Sequence, residues 1–167
     1  MVTFIIRFLN IAMAGLIAGT LFGVWFGYNP KFFTPQTYIE QTQGAIKGLN
    51  TLMPLLGLIT IILTVTSAFL QRQNRTFFVS MLIAAGFLIM AGLITRFGNQ
   101  PINSIVMTWG KNDIPGNWNV LRDKWWSLHI LRSLASFIAF LLIVWFNLRK
   151  DWKIQTETPP GLVRFPN

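Results

Sequence analysis

The chain has no cysteine, a single histidine and five acidic residues among 167, and each scarcity removes a class of function. Without a thiol there are no disulfides, no thiolate catalysis, no iron–sulfur ligation and no Cys-type zinc site, and the redox compartment is left open. One histidine cannot make the paired axial ligands of an intramembrane haem. The acids are scattered, and Glu40 with His129 is the only pairing that keeps a metal site in view, so none is expected and no metal or other cofactor is assigned. There is no glycine-rich phosphate loop after a strand and no Ser-His-Asp set. Charge itself is scarce, at 11% of residues, less than half the typical share of a soluble domain. Charged or broken positions within the apolar runs are also few, which argues against a transporter.

What is abundant is apolar sequence, 53% of the chain. Four runs reach the roughly 20 helical residues that a hydrocarbon core requires: Phe4 to Tyr28, Leu52 to Leu70, Phe77 to Thr95 and Ile130 to Phe146. Lipid leaves backbone polar groups no partner, so a spanning segment is a helix or a strand of a closed barrel, and the absence of alternation excludes the barrel. The expected fold is therefore all-α, an integral membrane four-helix bundle forming one domain over residues 1–150, followed by a flexible basic C-terminal tail over 151–167. Arg7 followed by Ala12-Met13-Ala14 has the look of a cleavable signal, but the apolar run continues to Phe26, beyond the usual signal core of about 7 to 15 residues. It is read as the first span.

The formal net charge of +9 resides at helix ends rather than in one patch, so anionic lipid headgroups, not nucleic acid, are the expected partner. Arg7, Arg72, Arg75, Arg149, Lys150, Lys153 and Arg164 fall with the termini; Lys31, Lys47, Arg96, Lys111, Arg122, Lys124 and Arg132 fall opposite. The terminal set is packed into shorter segments, which places both termini in the cytoplasm by the positive-inside rule.

Gly15, Gly19, Gly23 and Gly27 form a small-residue ridge on the first helix, read as an intramolecular packing surface, with a homo-oligomeric seam as the other reading. Thr34-Pro35 starts an amphipathic helix that should lie over the bundle and feed into the second span near Pro54, with Gly44 and Gly48 weakening its regularity. The turn from Gln71 to Thr76 permits only a tight antiparallel connection. Gly98 and Pro101 are expected to stop the third helix, and Asn117 to cap the fourth. If the fourth runs from Trp118 to Arg149 it is about 48 Å long, and its first turns stand above the membrane.

Distinctive chemistry is concentrated between Asn99 and Arg132. Arg122, Trp126, His129 and Arg132 are spaced by four, three and three, which places them on one helix face, and Ser133 and Ser136 continue the stripe. A lone histidine among apolar residues can be simply structural, but His129 and Arg132 meet the headgroup boundary opposite an Asn-bearing segment. Asn99 and Asn103 either close local turns or present amides to a developing oxyanion or a bound carbonyl. Trp109, Trp118, Trp125 and Trp126 fit an interfacial belt, with ligand stacking as the alternative.

Taken together, the glycine-rich first helix ending in Gly19-x3-Gly23-x-Trp25-Phe26, the Gln43 helix, Asn99-x-Pro101-x-Asn103 and Trp118-x3-Arg122-x3-Trp126-x2-His129-x2-Arg132 resemble the anthrone-oxygenase-like family of small membrane proteins, over roughly residues 10 to 148. The resemblance implies a four-helix membrane bundle and, for some members, oxidation of anthrones to anthraquinones without an evident cofactor; most members have no assigned activity. Trp125 beside Trp126 and the basic tail depart from the pattern. Carried onto this chain, the chemistry would use His129 as base, imidazole being the side chain whose ordinary titration range includes neutrality. Arg132, Asn99 and Asn103 would hold the enolate oxygen, Trp126 and Trp109 would stack on the rings, and Gln43 and Arg122 would complete the binding surface. Two functions stand side by side: a cofactor-independent oxygenase of a hydrophobic aromatic or quinone-like substrate, and a non-enzymatic membrane protein that binds a hydrophobic small molecule or packs as a subunit of a larger complex.

Overall fold

The computed structural model describes residues 1–110 and 113–156. Its helices are α1 (Val2–Gly27), α2 (Pro35–Leu49), α3 (Leu52–Leu70), α4 (Arg75–Leu93), α5 (Gln100–Val106) and α6 (Trp118–Thr156), with a 3-10 turn at Pro30–Phe32 and a π-helical turn at Ile94–Asn99. The fold is all-α, and four of its helical stretches are long and apolar enough to cross a membrane: Val2–Phe32, Leu52–Leu70, Arg75–Val106 and Trp118–Arg149. Residues 157–167, most of the expected tail, and Lys111 lie outside the described residues.

Each span touches two others: α1 packs on α3 and α6, and α4 packs on α3 and α6, closing a ring of four. Lipid does not drive helices together, so close approach depends on small side chains that maximise van der Waals contact. Ala14, Ala68, Ala84 and Ala139 supply them, interleaved with Phe77, Met81, Leu88 and Ile143. The large apolar side chains that a soluble protein would bury, Leu16, Ile62, Leu82, Ile89 and Leu141 among them, face outward, as the bilayer allows. At the pole near the termini, Arg7 Nε and Nη2 donate to Asn147 Oδ1 and to the Asn147 carbonyl, both at 2.7 Å, and Thr64 Oγ1 donates to Asn10 Oδ1 at 2.8 Å. These bonds tie α1 to α6 and to α3.

The opposite pole is roofed by α2. Thr34 Oγ1 accepts from the Thr37 N–H at 3.3 Å as the N-cap, Pro35 opens the helix where no N–H is needed, and Tyr38, Ile39 and Thr42 face inward. Gly44 and Gly48 lie on the outer surface and do not interrupt it. Tyr38 and Ile39 pack with Ile102 and Val106, ringed by Trp109, Trp118, Trp125 and Leu128. The long last helix starts directly after Asn117, as expected, and continues unbroken through the span.

Two expectations are corrected. Gly98 and Pro101 do not stop the third helix, which passes through the π-turn into α5 as one stretch to Val106. The reason is local: in the π-turn the Gln100 N–H reaches back five residues to the Thr95 carbonyl, so the ladder is already shifted where Pro101, lacking an N–H, would otherwise break it. Gly98 lets α6 approach closely: a Cβ on it would lie 2.9 Å from Leu128 Cδ1, which would have to shift. The glycine ridge of α1 is a packing surface only at Gly15, whose Cβ position is 3.3 Å from Phe140; Gly19, Gly23 and Gly27 have nothing within 4 Å.

Candidate functional site

Three elements supply the polar groups beneath the α2 roof. On α6, Trp125, His129 and Arg132 follow one another at helical spacing and share a face. Asn99, in the π-turn, and Asn103, in α5 just after it, both bond Trp125 of α6. Asn50 stands at the junction of α2 and α3.

His129 is fully buried and both ring nitrogens are engaged. Arg132 Nε and Nη2 lie 3.2 Å and 3.0 Å from Nδ1. A guanidinium only donates, so Nδ1 is the acceptor and Nε2 carries the hydrogen. Nε2 then donates to the Leu21 carbonyl of α1 at 3.2 Å. The imidazole lies parallel to the Trp125 ring, with centroids 5.1 Å apart and planes at 3°, and close to parallel with Trp126 at 5.6 Å and 21°. Arg132 also donates from Nη1 to Thr95 Oγ1 at 3.3 Å, and its guanidinium carbon lies 5.7 Å from the Trp125 ring centre. Among the described residues no carboxylate pairs with Arg132; the ion pair of this region is Arg122 with Asp123 at 2.9 Å. A cation on a membrane helix held only by neutral groups retains its attraction for an anion.

The amides form a second chain. Trp125 Nε1 donates to Asn103 Oδ1 at 2.9 Å, and Asn103 Nδ2 donates to Asn50 Oδ1 at 2.8 Å. Gln100 Nε2 donates to the Asn50 carbonyl at 3.2 Å. Asn99 Nδ2 donates to the Trp125 carbonyl at 3.1 Å, while its Oδ1 is buried without a partner among the described residues.

Between these chains lies a cavity of about 140 Å³, bounded by Tyr28, Thr42, Asn50, Asn103, Trp125, His129 and Arg132 on its polar side and by Leu21, Val24, Ile46, Leu49 and Met53 on its apolar side. Of the residues singled out in the sequence, His129, Arg132 and Asn103 line it. Asn99 and Trp126 sit behind it, the first through the Trp125 backbone and the second against the imidazole. Gln43, Trp109 and Arg122 do not line it. Gln43 Nε2 bonds the Val106 and Trp109 carbonyls, both at 3.0 Å, fastening the roof to the loop after α5, and Arg122 lies 4.7 Å over the Trp118 ring. Asn50, Tyr28 and Thr42 were missed, and Trp125, weighed in the sequence between an interfacial belt and ligand stacking, also lines it. Tyr28 and Thr42 share a 2.8 Å hydroxyl–hydroxyl bond joining α1 to α2, a pairing that no spacing in the chain announces. Tyr38, in the roof itself, has its phenol pushed up to about 12 by burial, with Tyr28 adding to the shift.

Among the described residues no three His, Cys, Asp or Glu side chains gather where a metal ion could be held. What the arrangement offers is a one-ring slot with a guanidinium, amide N–H groups, an imidazole and an indole face. A cavity of about 150 Å³ accepts a benzene ring, so this one, at about 140 Å³, admits an aromatic ring, and a larger ring system would extend beyond it.

A family model for anthrone oxygenase matches residues 44–142, more than half of the chain. The matched stretch starts one residue after Gln43 and includes Asn50, Asn99, Asn103, Trp125, His129 and Arg132. No curated protein and no solved structure gives a significant match.

Proposed function

Because the chain belongs to the anthrone oxygenase family, we propose that it is a multi-pass membrane oxygenase acting without a cofactor on a hydrophobic aromatic, anthrone-like or hydroquinone-like substrate, in the cavity beneath α2. The observation that carries this reading is Arg132: a cation with no carboxylate partner among the described residues, bordering an aromatic-sized cavity beside the one imidazole of the chain. An anthrone placed there would direct its carbonyl oxygen at Arg132 and at an N–H of Asn103. Both donors stabilise negative charge as it develops on that oxygen.

With an anthrone, the benzylic carbon yields a proton to His129 Nδ1 and the electron pair of that C–H bond delocalises into an aromatic enolate. Dioxygen then adds at the same carbon and is reduced to a hydroperoxide, which takes up the proton. Loss of water from the hydroperoxide leaves the second carbonyl, so that CH2 and O2 become C=O and H2O. For Nδ1 to accept a proton, its lone pair must be released from Arg132. A substrate oxygen that draws the guanidinium away performs that release and binds the stabilising cation in one movement.

A second reading, a membrane protein that binds a hydrophobic ligand without transforming it, is favoured by the same bonds. In the resting arrangement both His129 nitrogens are occupied, as a purely structural histidine's would be. The two separate in one assay. Purified protein in lipid discs is given anthrones and hydroquinones without added metal or flavin, and oxygen uptake is followed. The oxygenase reading expects uptake that His129→Ala lowers by about a hundredfold or more. No uptake across the panel, with ligand still bound, leaves the binding reading.

A further inference from the structure

A second cavity, of about 220 Å³, lies deeper in the bundle, where all four spans meet. Its wall is almost wholly apolar: Ile17 from α1, Pro54, Gly57 and Ile61 from α3, and Leu88, Ala91 and Gly92 from α4. Three residues belong to both cavities, Leu21, Met53 and Arg132. Arg132 therefore stands at the junction, with polar groups on one side and hydrocarbon on the other. Leu58 and Gly92 line the deeper cavity and are also exposed on the outer surface, so its mouth opens into lipid between α3 and α4. Two glycines, Gly57 and Gly92, are part of its lining. Cβ atoms built on Gly57 and Gly92 meet nothing within 4 Å, although glycine in a helix interior is otherwise unfavourable by about 1 kcal/mol relative to alanine.

Resting on the reading of the upper cavity as the reaction site, we propose that the two cavities are one elongated ligand site. The substrate is an aromatic bearing an aliphatic chain, with its ring in the upper cavity, its oxygen at Arg132 and its chain in the lower cavity, and it enters sideways from the bilayer between α3 and α4. The upper cavity alone is about the size of one ring, so a fused or substituted system must extend towards the lower one. Met53, an unbranched and readily repacked side chain, forms the wall that must shift for the two to join. The open glycine faces are what a chain running past them requires. A ligand dissolved in the membrane has no need of an aqueous entrance, and a lateral mouth suits its supply.

The test compares an anthrone with the same anthrone carrying an alkyl chain that ends in a photoreactive diazirine, on the full chain in lipid discs. In lipid discs the alkyl chain passes from one hydrocarbon surrounding to another and gains no transfer energy from water, so the readout is where the diazirine labels, not a large gain in affinity. Gly57→Leu and Gly92→Leu, which fill the lower cavity, should each abolish labelling of its walls while the unchained anthrone still binds. Illumination of the wild type should label the stretches 57–61 and 88–95, which keeps the proposal testable even if a leucine variant fails to fold. Label confined to the outward faces overturns the joined site while leaving the upper cavity's role intact. A diazirine-bearing phospholipid that labels the same stretches and is not displaced by the chained anthrone overturns it too, making the lower cavity a lipid site. Binding of neither compound overturns the parent reading together with this one.

Discussion

Substituting lysine for Arg132 separates the catalytic reading from a structural one. The guanidinium reaches Nδ1 of His129 from two nitrogens, at 3.2 Å and 3.0 Å, and Thr95 Oγ1 from the third, at 3.3 Å. The two approaches to Nδ1 share one lone pair and count as a single charge-assisted bond. Such bonds contribute about 1.5–3 kcal/mol in soluble proteins, but side-chain hydrogen bonds within membrane bundles average about 0.6 kcal/mol and reach about 1.7. Arg132→Lys keeps the charge and loses the fork, so its stability cost should be about 1 kcal/mol, a fall in melting temperature of about 2–4 °C for a chain of this size. If Arg132 also receives the enolate oxygen, the cost at the transition state is larger: removing one oxyanion donor typically lowers kcat by about a hundredfold to a thousandfold. Oxygen uptake and melting temperature are measured on the same sample in lipid discs, well below the melting range. Activity that falls only in proportion to the folded fraction would refute the reasoning and leave Arg132 as a brace for His129.

Two further outcomes test the surroundings of the site. Asn103→Ala should cost about 1–2 kcal/mol by stranding the Trp125 indole N–H and Asn50 Oδ1; a double-mutant cycle with Trp125→Phe, read by thermal melting, should show coupling of about 0.6 kcal/mol, and strict additivity contradicts the bond. Tyr38 holds its proton up to about 12 in the folded state, against an ordinary value of 10.0. The stability from burying the neutral phenol is thus full below about pH 10 and lost as pH rises towards about 12, so melting temperature should fall over that window, less steeply in Tyr38→Phe; an unchanged slope in that variant contradicts the assignment.

The four spans were legible because the bilayer imposes a length and forbids unpaired backbone, and both constraints write themselves as uninterrupted apolar runs. The roof helix was legible for a different reason: Thr34-Pro35 is a local start signal, and local signals survive in sequence. The fate of Pro101 was not legible. It depends on whether the ladder before it shifts to a five-residue reach, which helical spacing does not signal, and the residue packed over Gly98 in that turn is Leu128, 30 positions on. The face shared by His129 and Arg132 followed from helical spacing alone. Trp125 was left between an interfacial belt and ligand stacking because its role rests on Asn103, on another element, accepting from its indole. Gln43 and Arg122 were placed at the site by proximity along helices that do converge there, yet each is turned to a neighbour outside the cavity. Gly19, Gly23 and Gly27 show the limit of a motif: spacing marked a ridge, but only Gly15 meets a partner within the chain.

The most direct measurement is the nitrogen resonance of the histidine itself, which is unambiguous because the chain has one. With histidine labelled at both ring nitrogens, the protein in lipid discs should show Nε2 protonated and Nδ1 as a hydrogen-bonded acceptor. Addition of anthraquinone, which cannot be oxidised further at the reacting carbon, should shift the Nδ1 signal as Arg132 turns to the ligand oxygen, and Arg132→Lys should diminish the response. A proton resident on Nδ1, or an Nδ1 signal indifferent to saturating ligand, would contradict the claim that the His129–Arg132 cavity is where this membrane protein meets its substrate.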